Sequence, residues 1–319
     1  MPRQRRLNLY LEGAPGIAKS SLVYQAAADL GIEVVEFRLA GSDPTDLKGM
    51  PDLADGRTRW ATPEEMPTDP DWEGIIFFDE LVQGPPLVQS AITELVLEGR
   101  MGSYVLPDKA VIVAAGNRRS DRSAVNEMPR HLADRFTFLA VEADVDDFSA
   151  WGHVHGIREE VLSFVRARPD MLSKFDPALA KSPSPRGWAF VSSILDVDGY
   201  DDFTRQMMVA GQVGDGAAVE FFGHMRLYGE IPTIEEIIAN PKGARVPDGP
   251  HAPAMLYAVA TSIARALSGK TAKALMQYVE RIPEEFGVLA VRDALVRDTD
   301  LRKVAEVKLW AAKNASLII

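Results

Sequence analysis

The chain predicts an α/β fold, a parallel β-sheet flanked by helices that gives way to an all-helical C-terminal half, and three observations carry that expectation. Strand-like runs alternate with helical spacings as far as about residue 144; several of the strands are apolar at every position; and one strand ends in a Gly-rich turn that opens into a helix. The first run carries Leu7, Leu9 and Leu11 at alternate positions and leads into G-A-P-G-I-A-K-S, Gly13 to Ser20. Ser20 to Leu30 reads as a helix with Leu22, Ala26 and Leu30 on one face, and Glu33 to Leu39 returns as a strand, completing one β-α-β unit. Ala40 to Trp72 is dense in Pro, Asp and Gly and reads as ordered but irregular. A buried strand follows at Gly74 to Phe78, then Asp79-Glu80; helical spacing resumes at Leu87, Val88, Ala91, Ile92 and Leu95. Another apolar strand runs from Ala110 to Ala115 and meets Gly116-Asn117, a short helix spans Pro129 to Ala133, and the last strand is Thr137 to Val141.

Beyond Asp144 no strand pattern remains. Ile157 to Val165, Trp188 to Leu195 and Phe203 to Val213 read as helices, and a Pro/Gly-rich break from Asn240 to Pro253 precedes a final helical block. There Met255, Val259, Ile263 and Leu267 form one apolar stripe, and Leu301, Val304, Ala305, Leu309 and Ala312 form another. The expected organisation is a parallel-sheet core at 1–144, an α-helical domain at 145–239 and a C-terminal helical region at 240–319. No internal repeat or low-complexity tract interrupts it.

Composition narrows the class. At 319 residues and 46% hydrophobic content the chain has room for two folded domains. No run reaches the apolar length of a bilayer helix, and M-P-R-Q-R-R leads straight into a strand, so a cytoplasmic protein is expected. The absence of cysteine excludes disulfides and thiolate metal sites, and the five histidines have no ligand spacing. A net charge of −11 repels a phosphate backbone on average, so nucleic-acid binding would need a local basic patch; Arg3, Arg5 and Arg6 form one small cluster, more often a solvated terminus than a site.

The chemistry begins at the Gly-rich turn. A strand that ends there and opens into a helix aims backbone N–H groups at an anion, aided by the helix N-terminus. The cradle runs through Gly13, Ala14, Pro15, Gly16, Ile17, Ala18, Lys19, Ser20 and Ser21, with Lys19 reaching the β- and γ-phosphates of ATP and the Ser20 hydroxyl ligating Mg²⁺. Ala18 stands where the usual pattern has its second Gly, which requires either a conformation alanine tolerates or a reshaped loop. Asp79, ending a buried strand, is placed to hold Mg²⁺ through its water shell, and Glu80 to orient and deprotonate water. Asn117, at the tip of the next apolar strand, offers a neutral amide to the water and the γ-phosphate; a turn-capping Asn is the alternative. An arginine in P-R-H-L-A-D-R-F, Pro129 to Phe136, is placed to act on a nucleotide held by a neighbouring subunit, although Arg135 alone could equally be a surface ion pair to Asp134. Arg186 follows Ser184-Pro185 in the first turn of a helix.

In that order and spacing these residues resemble the AAA+ P-loop ATPases, and more closely the MoxR-like branch from phages and bacteria. G-A-P-G-I-A-K-S, I-I-F-F-D-E, D-L-K-G-M-P, A-A-G-N-R-R-S-D-R, L-A-D-R-F, S-P-S-P-R-G-W and E-R-I-P-E-E-F-G-V-L-A-V-R-D-A-L carry the similarity over essentially the whole chain. The resemblance implies Walker A at Gly13 to Ser20, a Walker B pair at Asp79 and Glu80, sensor 1 at Asn117, an arginine finger at Arg135 with Arg130 as second choice, and sensor 2 at Arg186. It also implies ATP and Mg²⁺ as ligands and a ring, usually a hexamer, because the finger acts in trans. The function expected is a motor or chaperone that remodels a protein client, often with a von Willebrand factor A domain partner. Channel-facing loops would include Leu47-Lys48-Gly49 and the hairpin-like Glu98 to Asp108 with Tyr104, and the base would be held by the lid and by Met1 to Arg6. Two other readings stand beside it: a nucleic-acid-directed AAA+ motor or loader, using Arg118, Arg119 and Arg122, and a nucleotide-gated scaffold with little turnover, prompted by Ala18.

Overall fold

The computed structural model describes residues 7–54, 56–118, 121 and 126–314, and divides into two compact units, Met1–Glu142 and Ala143–Ile319. In the first, five parallel strands form one sheet in the order β2-β5-β8-β1-β9: β1 (Asn8–Glu12), β2 (Glu33–Arg38), β5 (Gly74–Asp79), β8 (Val111–Gly116) and β9 (Phe136–Ala140). The apolar run of β5 is explained by this layering. Ile75 and Phe77 pack with Val23 and Ala27 of helix α1 (Lys19–Leu30), while Ile76 and Phe78 point the other way to Val88, Ile92 and Leu95 of helix α3 (Pro86–Glu98). Each face of the sheet therefore has its own apolar layer, and alternation within a strand serves both.

Three sequence expectations are corrected in this unit. The Leu22, Ala26 and Leu30 stripe of α1 faces outward, Leu30 being 70% exposed, and the buried positions are Lys19, Val23 and Ala27. The loop before the helix sets the phase: once Lys19 points into the site, residues four and eight further on must point into the sheet. The segment from 40 to 72 is less irregular than its composition indicates. It holds the helix α2 (Pro44–Lys48), closed by a reciprocal capping box between Asp43 and Asp46, and a hairpin of β3 (Met50–Ala54) and β4 (Arg57–Ala61). Finally, Leu87 is exposed, because the first turn of α3 stands off the layer that Val88, Ala91, Ile92 and Leu95 fill.

The second unit holds helices and no strand among its described residues. One apolar cluster joins α5 (Val145–His155), α6 (Glu159–Ala167), α7 (Pro185–Leu195), α8 (Asp202–Val213) and α9 (Asp215–Tyr228), centred on Trp188, Phe164 and Phe221. A second joins α10 (Ile234–Ala239), α11 (Ala252–Ala266), α12 (Ala272–Val279), α13 (Glu284–Arg297) and α14 (Ala305–Lys313), with Met255, Val259, Ile263 and Leu267 of the foreseen stripe all buried. In α14 the buried residues are Val307 and Trp310, so Leu309 of the second foreseen stripe faces out. A buried ionic group ties the clusters together. The Arg166 guanidinium lies 2.8 Å from Asp146 and 2.7 Å from Asp293, and His153 Nε2 lies 3.3 Å from the same Asp293 carboxylate. Asp293 is almost wholly enclosed, and Arg166 and His153 are the partners it meets there. Among the described residues no helix is long and apolar enough to cross a membrane.

His224 in α9 gives this unit an acid limit. It is buried, lies 2.8 Å from Ser163 Oγ and packs edge-on against Phe164, and burial lowers its pKa to about 4. The unfolded chain takes up the proton near the ordinary value of about 6.5, so stability is full above that pH and is lost as pH falls from there towards 4, by about 3 kcal/mol. His224→Phe should flatten the denaturation midpoint over this interval relative to the wild type; parallel acid losses in the two proteins would refute the assignment.

Candidate functional site

The C-terminal ends of β1, β5 and β8 are close together in the sheet, and the Gly-rich turn, Asp79, Glu80 and Asn117 lie there. The turn after β1 is tightly hemmed: a Cβ on Gly13 would lie 2.3 Å from Ile17 Cδ1 and 2.6 Å from the Val141 carbonyl oxygen, so only glycine fits. Gly16 has φ 78°, in the left-handed region glycine accepts freely. Ala18 has φ 73° and ψ 27°, and it stands at the N-cap of α1 without a side-chain cap. The substitution for glycine is thus accommodated without reshaping the turn, at a strain of about 1 kcal/mol. With no capping side chain competing, the first amides of α1 remain available to an anion.

Lys19 is buried, and its Nζ donates to the Gly13 carbonyl at 2.9 Å, the Ala14 carbonyl at 3.0 Å and Asn117 Oδ1 at 2.9 Å. One ammonium group thereby spans the loop after β1 and the tip of β8. On the other side Ser20 Oγ donates to Asp79 Oδ2 at 2.7 Å, joining the start of α1 to the end of β5. A hydroxyl and a carboxylate oxygen at this separation are the hard donors Mg²⁺ takes, with phosphate and water oxygens filling the other positions. Gly-lined backbone, a buried cation and that oxygen pair fit a magnesium-bound triphosphate.

Glu80 adds a feature that sequence alone did not disclose. Its φ is 56°, and its N–H donates to Asp79 Oδ1 at 2.9 Å. Among the described residues Ala18 and Glu80 are the two non-glycine residues with positive φ, and both belong to this site. Left-handed backbone in a glutamate costs about 1–2 kcal/mol, and such strain persists where a side chain must be aimed. The turn ends the course of β5 at Asp79 and ties the Glu80 backbone to the Asp79 carboxylate.

A second group also escaped the sequence reading. Arg38 ends β2 level with Asp79 on β5, and its Nε donates to Glu36 at 3.2 Å while Tyr24 Oη donates to Glu36 at 2.8 Å. The Glu36 carboxylate raises the pKa of both partners, through the hydrogen bond first. The register of β2 against β5, visible only after folding, is what brings this trio next to the Ser20–Asp79 pair.

The remaining candidates lie on other elements. Arg135 follows α4 (Arg130–Ala133); its side chain is exposed and, among the described residues, makes no ion pair with Asp134, while its carbonyl accepts from Asn8 Nδ2 at 3.2 Å. Arg130 is exposed as well. Arg186 lies in the second unit, in the first turn of α7, which Ser184 caps by accepting from the Gly187 N–H at 3.1 Å. Of the three arginines after Asn117, Arg118 lies 3.3 Å from Asp121, and Arg119 and Arg122 fall outside the described residues, as do Met1 to Arg6. The channel-loop expectation is corrected in part. Leu47 and Tyr104 are buried in the core of the first unit, because α2 and the β6 (Arg100–Met101) and β7 (Tyr104–Val105) hairpin turn those side chains inward.

Residues 8–136 match the model of the AAA domain, dynein-related subfamily. This segment is thus similar to an AAA domain. No curated protein matches the chain. Among solved structures the chain is similar to a mutant of Thermotoga maritima RuvB, at 14% identity over 69% of this chain and 62% of that one, with a TM-score of 0.37. It is also similar to NtrX from Brucella abortus in complex with ATP, at 14% identity over 98% of this chain and 64% of that one, with a TM-score of 0.42. The chain thus spans 62% to 64% of the length of these solved chains. The matched segment of the AAA domain opens at β1 and closes at Phe136, so it encloses the Gly-rich turn, Asp79, Glu80 and Asn117.

Proposed function

We propose that the protein is a MoxR-like AAA+ ATPase: an oligomeric motor that hydrolyses ATP to remodel or mature a protein client, with a von Willebrand factor A domain protein as partner. The observation that carries the catalytic part is the convergence of Lys19 on Asn117 and of Ser20 on Asp79. In this reading Gly13 to Ser21 cradle the phosphates, and Lys19 exchanges its carbonyl and amide partners for phosphate oxygens. Ser20 and Asp79 hold Mg²⁺, which when bound screens the phosphate charge. Glu80 takes the proton of the attacking water, and Asn117 orients that water against the γ-phosphate without adding charge.

Residues 1–144 serve as the core, 145–239 as the lid and 240–319 as a C-terminal region. Arg135 reaches into the site of the next subunit of a ring, a hexamer by the family pattern, with Arg130 as second choice, and Arg186 acts from the lid as sensor 2. The exposure of the Arg135 side chain supports a role in trans. The Arg118–Asp121 pair partly neutralises the basic cluster on which a nucleic-acid-directed motor would depend. A cytoplasmic location accords with a cysteine-free chain.

The test is nucleotide affinity. Lys19→Ala should weaken binding of a fluorescent ATP analogue by about 10- to 100-fold, the worth of one charge-assisted hydrogen bond to phosphate, with the melting temperature monitored alongside. Unchanged affinity in a folded variant would remove the phosphate site from this turn.

A further inference from the structure

The positive φ of Glu80 has to be held by its surroundings, since strain of this kind persists where other contacts over-determine it. Those contacts converge on the turn from Glu80 to Gly84. The Gln83 N–H donates to the Glu80 carbonyl at 2.9 Å, and the Gly84 N–H lies 3.2 Å from both the Glu80 and the Leu81 carbonyls. Leu81 and Val82 are buried, which roots the turn in the core of the first unit. Leu39, one residue past β2, closes it from the side: its N–H donates to the Asp79 carbonyl at 3.0 Å, and a Cβ on Gly84 would lie 3.0 Å from Leu39 Cβ.

The last carbonyl of the turn, that of Gly84, accepts from two side-chain amides. Gln89 Nε2 reaches it at 3.0 Å from α3, and Asn126 Nδ2 reaches it at 3.0 Å from the segment between β8 and α4. The Asn126 N–H adds a bond to the Val82 carbonyl at 3.3 Å. Gln89 is 1% exposed and its Oε1 meets no partner, so α3 buries an amide at a cost that a leucine beside Val88 and Ile92 would avoid. What the amide provides is the bond to Gly84. Asn126 is half-buried and lies four residues before Arg130, with Met128 between them packed on the core.

We propose that Asn126 and Gln89 are positioning residues for Glu80: acting through the Gly84 carbonyl, they hold the turn that presents the strained glutamate to the attacking water. The proposal rests on the reading of Glu80 as the group that takes the proton of that water. Loss of either donor lets the turn relax towards ordinary backbone and carries the Glu80 carboxylate with it. Lys19, Ser20 and Asp79 are fixed by their own bonds to Asn117 and to one another, so nucleotide binding is spared. A displacement on the order of 1 Å is enough to cost about 10²-fold in rate.

Asn126→Ala in the full chain tests it by steady-state phosphate release and by binding of a fluorescent ATP analogue. The kcat should fall by about 10- to 100-fold, with KM and analogue affinity within a few-fold of the wild type. Asn126→Asp keeps the size of the side chain without its donor; it should lose as much, and it serves if the alanine variant does not fold. Gln89→Leu fills the same space without a donor and should shift kcat in the same direction. The deciding measurement is Asn126→Ala combined with Glu80→Gln, followed in single turnovers: with the base gone, loss of Asn126 should cost little more. A merely structural role lowers the rate by the same factor with and without Glu80, and that result overturns the proposal. So does a loss confined to affinity, or an unchanged kcat in Asn126→Ala when Glu80→Gln alone is inactive. Normal turnover in Glu80→Gln alone removes the base assignment, and this proposal with it, in a protein whose Asn126 is untouched.

Discussion

Glu80→Gln is expected to lower ATP turnover by about 10²- to 10⁴-fold, the range lost when a positioned general base is removed, with nucleotide affinity essentially unchanged. The argument is geometric. Asp79 is already engaged, one carboxylate oxygen accepting from Ser20 Oγ and the other from the Glu80 N–H. Glu80 is held in a left-handed turn, and its positive φ costs energy that an ordinary strand end avoids. Glutamine keeps the size and hydrogen-bonding reach of the side chain but accepts no proton at neutral pH. Steady-state phosphate release, together with equilibrium binding of ATP, distinguishes the outcomes. Near-normal turnover in the glutamine variant would show that the water is activated elsewhere. Weakened binding without a turnover defect would reassign Glu80 to the metal.

Arg135→Ala should reduce turnover by about 10³- to 10⁵-fold, the scale on which an arginine supplied across an interface acts in phosphoryl transfer, and should leave affinity for ATP within a few-fold. Its guanidinium is exposed and its backbone is anchored, through the bond from Asn8, to the strand that precedes the phosphate turn. A residue fixed at its root and exposed at its tip is suited to reach a neighbour. Mixing decides the matter. Subunits of Arg135→Ala keep an intact Glu80, and subunits of Glu80→Gln keep an intact arginine, so mixtures should recover activity that neither variant has alone. If mixtures stay inactive, the arginine does not act between subunits, and Arg130→Ala is the next variant to examine.

Much of the first unit was legible because its signals are local. All five strands of the parallel sheet were marked by apolar or alternating runs, and the Gly-rich turn, Asp79 and Asn117 each sat at a strand end, where their neighbours in sequence told which way the chain was going. The failures occurred where phase or partner is set from a distance. Leu22 and Leu30 looked like a core stripe by spacing alone, yet the direction of Lys19 rotates the helix and hands the sheet to Val23 and Ala27. The β3–β4 hairpin was hidden because Pro51, Asp52 and Gly56 are loop residues by preference, and pairing overrides that preference. Tyr104 gave the sequence appearance of an exposed loop aromatic, but a two-residue strand on each side of the turn folds it into the core. The Arg38, Glu36 and Tyr24 trio depends on strand register and left no mark along the chain.

The enclosed group of Arg166, Asp293 and His153, with the exposed Asp146 at its edge, joins α5 and α6 to α13, which lies more than a hundred residues later. Charges held in so dry a place cannot be parted by a small slide of one helix, because each half would be stranded without water. Any rearrangement within the C-terminal half must therefore carry these three helices together, as one lever and not as a stack of loose plates. Flexibility has to be sought at the ends of that lever, in the segments that no ionic rivet crosses.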